Sequence, residues 1–248
     1  MDTKNLHKAI DALKSSSHTF AFTGAGISIE SGIPPFRGST GLWSNYDPIV
    51  LDINYFKSNP KESWEVIKEI FYDFFGQAKP NDAHIALAKM EQAGLLSSVV
   101  TQNIDNLHQE AGSTNVWEFH GNSHSLKCTV CNNKYKIADL KFDNLPVTCP
   151  ACDGLVKPDF VFFGEGIPEL AYEKSMEEAS LADVVLIIGT TGEIMPASYI
   201  PQIAKQNGAI IIEINPEPSN FTNSITDIYL KAKATDAMNG LIDGLLDN

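Results

Sequence analysis

Thr23-Gly24-Ala25-Gly26-Ile27-Ser28-Ile29-Glu30-Ser31-Gly32-Ile33-Pro34-Pro35-Phe36-Arg37-Gly38 is the stretch on which the fold turns. It follows directly on an apolar, strand-like run, His18 to Phe22, and opens with two glycines spaced G-x-G. Glycine permits a tight bend and lets the backbone approach a pyrophosphate closely, so a strand ending in this turn suits phosphate binding. The third glycine of the dehydrogenase fingerprint is missing, because its position holds Ile29. No clear second strand ending in an acidic residue follows about 20 residues on. The turn by itself points weakly to a nucleotide.

Working outward, further continuous apolar runs occur at Ser98 to Thr101, Val184 to Ile188, Ala209 to Ile214 and Asp227 to Leu230. Runs without alternation fit strands covered on both faces. Helical patterns lie between several of them, as at Asn81 to Gln92 and Pro168 to Ser180. Strands alternating with helices predict an α/β fold with a doubly wound parallel sheet. Polar or glycine-rich residues follow the runs: Gln102-Asn103-Ile104-Asp105, Gly189-Thr190-Thr191 and Asn215. Ligands of such sheets sit beyond the carboxyl ends of the strands, so these groups are predicted to share one crevice.

The chain has 248 residues, 43% hydrophobic, enough for a large domain carrying a small insert. No apolar run reaches the roughly 20 residues that span a bilayer. The N-terminal stretch lacks a signal-peptide core and has helical spacing at Leu6, Ile10 and Leu13, which predicts an amphipathic helix in a cytoplasmic protein. The net charge of −13 argues against binding nucleic acid or anionic membranes directly. Among 18 basic residues the sole arginine is Arg37, inside the glycine-rich stretch, where a planar fork suits a phosphate or carboxylate.

All four cysteines fall in two knuckles, Cys128-x-x-Cys131 and Cys149-x-x-Cys152, with 17 residues between them. That spacing matches a zinc ribbon, in which four thiolates fill a tetrahedron and leave no position for water. The metal is therefore expected to be structural.

The longer glycine-rich string resembles the signature of the sirtuin family. Thr101-Gln102-Asn103-Ile104-Asp105, His120-Gly121, the cysteine pairs, Lys157-Pro158-Asp159-Phe160-Val161-Phe162-Phe163-Gly164-Glu165, Gly189-Thr190-Thr191 and Ile214-Asn215 follow in the family's order. The resemblance implies a discontinuous Rossmann-like NAD-binding domain over residues 1–34, 79–123 and 158–248. A helical insert with a cofactor loop is expected over 35–78 and a zinc-ribbon insert over 124–157. It implies that Gly24, Ala25, Gly26, Ser28, Ile33, Pro34, Phe36, Arg37, Gln102, Asn103, Ile104 and Asp105 meet the cofactor's phosphates and nicotinamide half. Gly189, Thr190, Thr191, Asn215, Pro216 and Ala234 would meet its adenosine half. Val161, Phe162, Phe163, Gly164, Glu165 and Glu193 would border the substrate, with one of the two phenylalanines expected to be core. Cys128, Cys131, Cys149 and Cys152 would hold the zinc.

The implied activity is NAD-dependent removal of acyl groups from protein or peptide lysines. The acyl oxygen attacks the nicotinamide ribose, nicotinamide leaves, and the acyl group passes to ADP-ribose. His120 is implied as the base that takes a ribose hydroxyl proton, with Asn103 beside it in catalysis. The remaining histidines, His84 and His108 among them, are read as structural or surface residues. Mono-ADP-ribosylation of a protein is the alternative that the same pocket would serve. Two departures bear on the substrate. Gly192-Glu193 replaces apolar residues that many sirtuins carry; it is expected to loosen the backbone and to favour basic residues near the acyl-lysine. The stretch Trp64 to Phe75 lacks the arginine that sirtuins specialised for acidic acyl chains carry, which predicts neutral acyl groups.

Overall fold

A computed structural model of the chain describes residues 1–36 and 41–246, the Phe74 side chain excepted. Its larger sheet has six parallel strands: β1 (Thr19–Thr23), β2 (Ser98–Thr101), β3 (Val116–Glu118), β7 (Val184–Ile188), β8 (Ile210–Asn215) and β9 (Ile228–Lys231), in the order β3-β2-β1-β7-β8-β9. The apolar runs form strands because both faces are covered. Val184, Leu186 and Ile188 pack with Ala21, Ile212 and Ile214 under α1 (Thr3–Ser15), α4 (Asp82–Gln92) and α8 (Ala234–Leu246). Val185 and Ile187 pack with Phe20, Phe22 and Ile211 under α6 (Glu169–Leu181) and α7 (Tyr199–Gln206). β3 escaped the sequence reading: three half-buried residues, Val-Trp-Glu, carry no run long enough to announce a strand. Chain progression reverses between β1 and β7, so the topological switch point lies over the ends of these two strands.

The smaller sheet is antiparallel, in the order β5-β4-β6, from β4 (Gly121–Cys128), β5 (Lys134–Lys136) and β6 (Val156–Phe160). Gly121 pairs with Phe160, which carries this ladder outside residues 124–157 on both sides. The helical insert, with α2 (Ile53–Ser58) and α3 (Pro60–Ile67), shares one core with this sheet. Phe56, Trp64, Ile67 and Phe71 pack with Leu126, Val156, Phe160 and Phe162. The Trp64 Nε1–H donates to the Val156 carbonyl at 2.8 Å, tying α3 to β6. The short α5 (Leu107–Glu110) follows β2. Among the described residues no helix is long and apolar enough to cross a membrane.

Candidate active site

At the switch point two glycine-bearing loops meet. The Gly24 N–H donates to the Ile188 carbonyl at 3.0 Å and the Gly26 N–H to the Gly189 carbonyl at 2.8 Å. A Cβ on Gly26 would stand 2.5 Å from the Gly189 Cα, and one on Gly189 would stand 2.3 Å from the Ile27 nitrogen. Gly189 also has φ +63°. The G-x-G spacing assigns Gly24 and Gly26 to ligand approach. The structure supplies a reason that operates without a ligand: the loops after β1 and β7 touch backbone to backbone. Ala25 and Ser28 lie on the 3₁₀ turn Ala25–Ser31, Ile33 is buried beyond it, and Pro34 and Phe36 are half-buried, with Phe36 set against Trp43 and Phe71. Arg37 lies outside the described residues.

The end of β2 is joined to these loops by side chains. Gln102 Nε2 donates to Thr190 Oγ1 at 3.0 Å. Asn103 is buried, and its Nδ2 donates to the Gly24 carbonyl and to Ser28 Oγ, each at 3.2 Å. Both amide hydrogens are thereby used, leaving Oδ1 to accept from a ligand. Ser28 Oγ in turn donates to Asp105 Oδ2 at 2.7 Å. Burial pushes the Asp105 carboxyl above its usual range, against the hydrogen bonds from Ser28 and the Leu107 N–H. The Leu107 N–H bond, 3.0 Å to Oδ1, shows that Asp105 also supports the start of α5. Ile104 packs toward the aromatic core of the smaller sheet, and its carbonyl accepts from the Ser123 N–H and hydroxyl at 3.0 and 2.7 Å.

His84 and His108, read from sequence as ordinary histidines, are buried behind this cluster with ring centroids 4.9 Å apart. His84 Nε2 lies 3.5 Å from Ser28 Oγ, and His108 Nε2 lies 2.9 Å from Thr23 Oγ1. Burial lowers His84 to about 4 and holds His108 well below the ordinary histidine value, so both are neutral near pH 7. The signal in the sequence was slight: His84 lies in the first turn of α4, and the structure shows its N-cap Asn81 donating from Nδ2 to the Ile27 carbonyl of the glycine turn at 2.8 Å.

His120 stands between β3 and β4, half-buried, with Nδ1 3.0 Å from the Gln102 carbonyl. A carbonyl only accepts, so Nδ1 carries the hydrogen and Nε2 keeps its lone pair. Nε2 makes no hydrogen bond among the described residues. Burial lowers the His120 pKa below 6.5, partly offset by the Gln102 bond. The ring is thus a neutral, oriented acceptor at neutral pH.

The segment after β6 is pinned along one edge. The Val161 N–H donates to the His120 carbonyl at 2.8 Å, and the Phe163 N–H and carbonyl pair with Leu51 and Ile53 at 2.8 and 3.1 Å. Phe162 is the core member of the pair: its ring is fully buried against Phe56 and Phe160, whereas Phe163 is 52% exposed. The Phe162 N–H is taken by Glu165 Oε2 at 2.8 Å, so it is not open to a substrate backbone. That same oxygen lies 3.0 Å from Lys157 Nζ, which is buried and also donates to the Pro158 and Phe160 carbonyls. Gly164 keeps its backbone groups unpaired and exposed among the described residues.

Gly192 corrects another expectation. It has φ +73°, and a Cβ there would meet the Phe221 ring at 2.8 Å. Close packing against a buried ring, not looseness, requires the glycine. Glu193 is exposed on the same loop. Across the sheet Asn215 is buried at the end of β8, its Nδ2 3.1 Å from the Thr190 carbonyl. Thr191 and Pro216 are exposed, and Ala234 opens α8 in a buried position.

The four thiols gather at the tip of the smaller sheet, all Sγ atoms within 4.8 Å of one another. Cys128–Cys152 and Cys131–Cys149 are each 3.6 Å apart. Four sulfurs about 2.3 Å from one zinc ion would be about 3.8 Å apart along each tetrahedral edge. The donor set therefore fits a closed structural zinc site. Tyr135 Oη lies 2.9 Å from Cys149 Sγ, a further polar contact at the edge of the cluster.

Strand ends meeting over a switch point, polar amides with their donors spent and an oriented imidazole define a nucleotide-using α/β protein braced by a thiolate module. Comparison with known proteins narrows this. The Sir2 family signature matches residues 24–196. The chain is 47% identical over 238 residues to an NAD-dependent protein deacylase of Pyrococcus furiosus, covering 93% of this chain and 94% of that one. A Sir2 homologue solved with ADP-ribose superimposes with TM-score 0.91 at 38% identity, over 99% of this chain and 96% of that chain. A Sir2 protein solved with a p53 peptide and NAD+ superimposes with TM-score 0.88 at 35% identity, over 98% of each. The chain belongs to the Sir2 family.

Proposed function

We propose that this protein is an NAD-dependent protein lysine deacylase that passes the acyl group of an acyl-lysine to ADP-ribose and releases nicotinamide. His120 is the observation that carries the reading: its Nδ1 bond to Gln102 leaves Nε2 free to take a proton from a ribose hydroxyl. In this reading Asn103 and Asp105 serve the nicotinamide amide as acceptor and donor partners, and Thr190, Thr191 and Asn215 serve the adenosine half. The unpaired Gly164 backbone offers a peptide its hydrogen bonds beside Val161. Zinc on the four thiols braces the wall and takes no part in the chemistry. Residues 1–34, 79–123 and 158–248 form the dinucleotide domain in this reading, with 35–78 and 124–157 as inserts. The substrates are acyl-lysine proteins or peptides carrying neutral acyl groups. The net charge of −13 fits an enzyme that does not bind nucleic acid itself.

The test is nicotinamide release with a panel of acyl-peptides, comparing wild type with His120→Ala. The expected loss in kcat is roughly 10²–10⁴-fold with ADP-ribose affinity unchanged. The acid limb of the wild-type kcat/KM profile is expected below pH 6.5, because burial lowers the His120 pKa and activity falls as the ring protonates. Retained turnover in His120→Ala would sink the reading; label from NAD appearing on protein instead of in O-acyl-ADP-ribose would favour ADP-ribosyl transfer.

A further inference from the structure

Glu213 interrupts the apolar run of β8 in the middle of the sheet, across from Ile187 and Tyr229. It is fully buried, and four neutral donors surround its carboxyl group. Oε1 accepts from Asn215 Nδ2 at 3.0 Å, Ser219 Oγ at 2.5 Å and Thr222 Oγ1 at 3.0 Å, while Oε2 accepts from Thr226 Oγ1 at 2.7 Å. A buried carboxyl so placed does more than satisfy a loop, because one of its donors is Asn215. That amide's other hydrogen goes to the Thr190 carbonyl at 3.1 Å. Turning the amide over would set Oδ1 against two acceptors, so its orientation is enforced. Asn215 Oδ1, which makes no hydrogen bond among the described residues, is the atom left to meet a ligand.

An acceptor-only contact selects a donor. A ribose hydroxyl donates; a phosphate ester at that place presents acceptors and negative charge. We propose that Glu213 is a positioning residue that holds Asn215 as an obligate acceptor and so makes the adenosine end of the crevice prefer a ribose with free hydroxyls over a phosphorylated one. The loop it gathers reinforces this, since the Asn220 N–H donates to the Thr191 carbonyl at 2.9 Å. The inference rests on the NAD reading above.

The experiment is calorimetric titration of the zinc-loaded full chain with ADP-ribose and with its 2′-phosphate, for wild type, Glu213→Gln and Glu213→Leu. Wild type is expected to prefer ADP-ribose by at least about a hundredfold. Glutamine keeps an acceptor for Asn215 and donates to the Thr226 hydroxyl, so Glu213→Gln should stay within about threefold of wild type. Leucine leaves the Asn215 amide held by the Thr190 carbonyl alone: ADP-ribose affinity should fall roughly tenfold and the preference narrow by a similar factor, with KM for the acyl-peptide unchanged. An unaltered preference in Glu213→Leu overturns this proposal alone. Failure of the wild type to bind ADP-ribose overturns the functional reading and the proposal with it. Should Glu213→Leu not fold, the wild-type Asn215 side-chain amide protons decide by NMR. Protection that persists when ADP-ribose binds supports the proposal, and protection lost on binding overturns it.

Discussion

The two sheets present residues to the same crevice but hold them by different physics. Strands β1, β2 and β7 are buried at every residue, so the large sheet is secured by aliphatic burial on both faces. The loops after β1 and β7 are then fixed by backbone contact at Gly24, Gly26 and Gly189. The small sheet alternates buried and half-exposed residues along β4, and β5 is nearly all exposed. It borrows its core from the aromatic insert and gathers four thiols at its tip. A module of that size has too little apolar surface to fold alone and needs a crosslink. The difference teaches which half of the site depends on metal and which on shape.

Chelation is the strongest way to press the comparison. Structural zinc contributes roughly 10–16 kcal/mol of apparent binding free energy in small modules. Removing it should abolish acyl-peptide turnover by at least about a hundredfold, with proteolysis starting within residues 124–157 while the parallel sheet stays folded. A single transition in which both sheets melt together would break the distinction.

Lys157 tests the small sheet without touching the metal. Its ammonium is 7% exposed and holds Glu165 and the Pro158 and Phe160 carbonyls of β6. Lys157→Met leaves Glu165 without its cation and two carbonyls without their donor, and should cost about 1–3 kcal/mol of stability. The KM for acyl-peptide should rise while ADP-ribose affinity holds; an equal loss of both would show that the two walls are not independent.

Gly26→Ala probes the large sheet. The added methyl would stand 2.5 Å from the Gly189 Cα, with backbone on both sides. Overpacking of this kind costs about 1–3 kcal/mol, a fall of roughly 3–10 °C in Tm by thermal denaturation. The zinc module should be unaffected, and a Tm within a degree of wild type would show that the loops can part.

Much of this was legible in the chain. Continuous runs such as Val184 to Ile188 declare strands buried on both faces, and two CxxC knuckles declare a tetrahedral site because the spacing alone brings paired thiols to one ion. The imidazole at His120 was legible only through its motif. Strand β3 was not, since three residues carry no periodicity, and neither was the burial of His84 and His108, which depends on helices folding behind the crevice.

Local pattern by itself determined the sheet class, the candidate zinc ligands and the polar groups at the strand ends, because periodicity and spacing act over a few residues, and the family resemblance implied the other candidate contacts. Tertiary structure alone decided why Gly26, Gly189 and Gly192 are glycines, which nitrogen of His120 keeps its lone pair and which face of Asn215 is open. Those properties depend on atoms brought together from distant parts of the chain, and only a folded contact assigns a hydrogen to one partner and denies it to another.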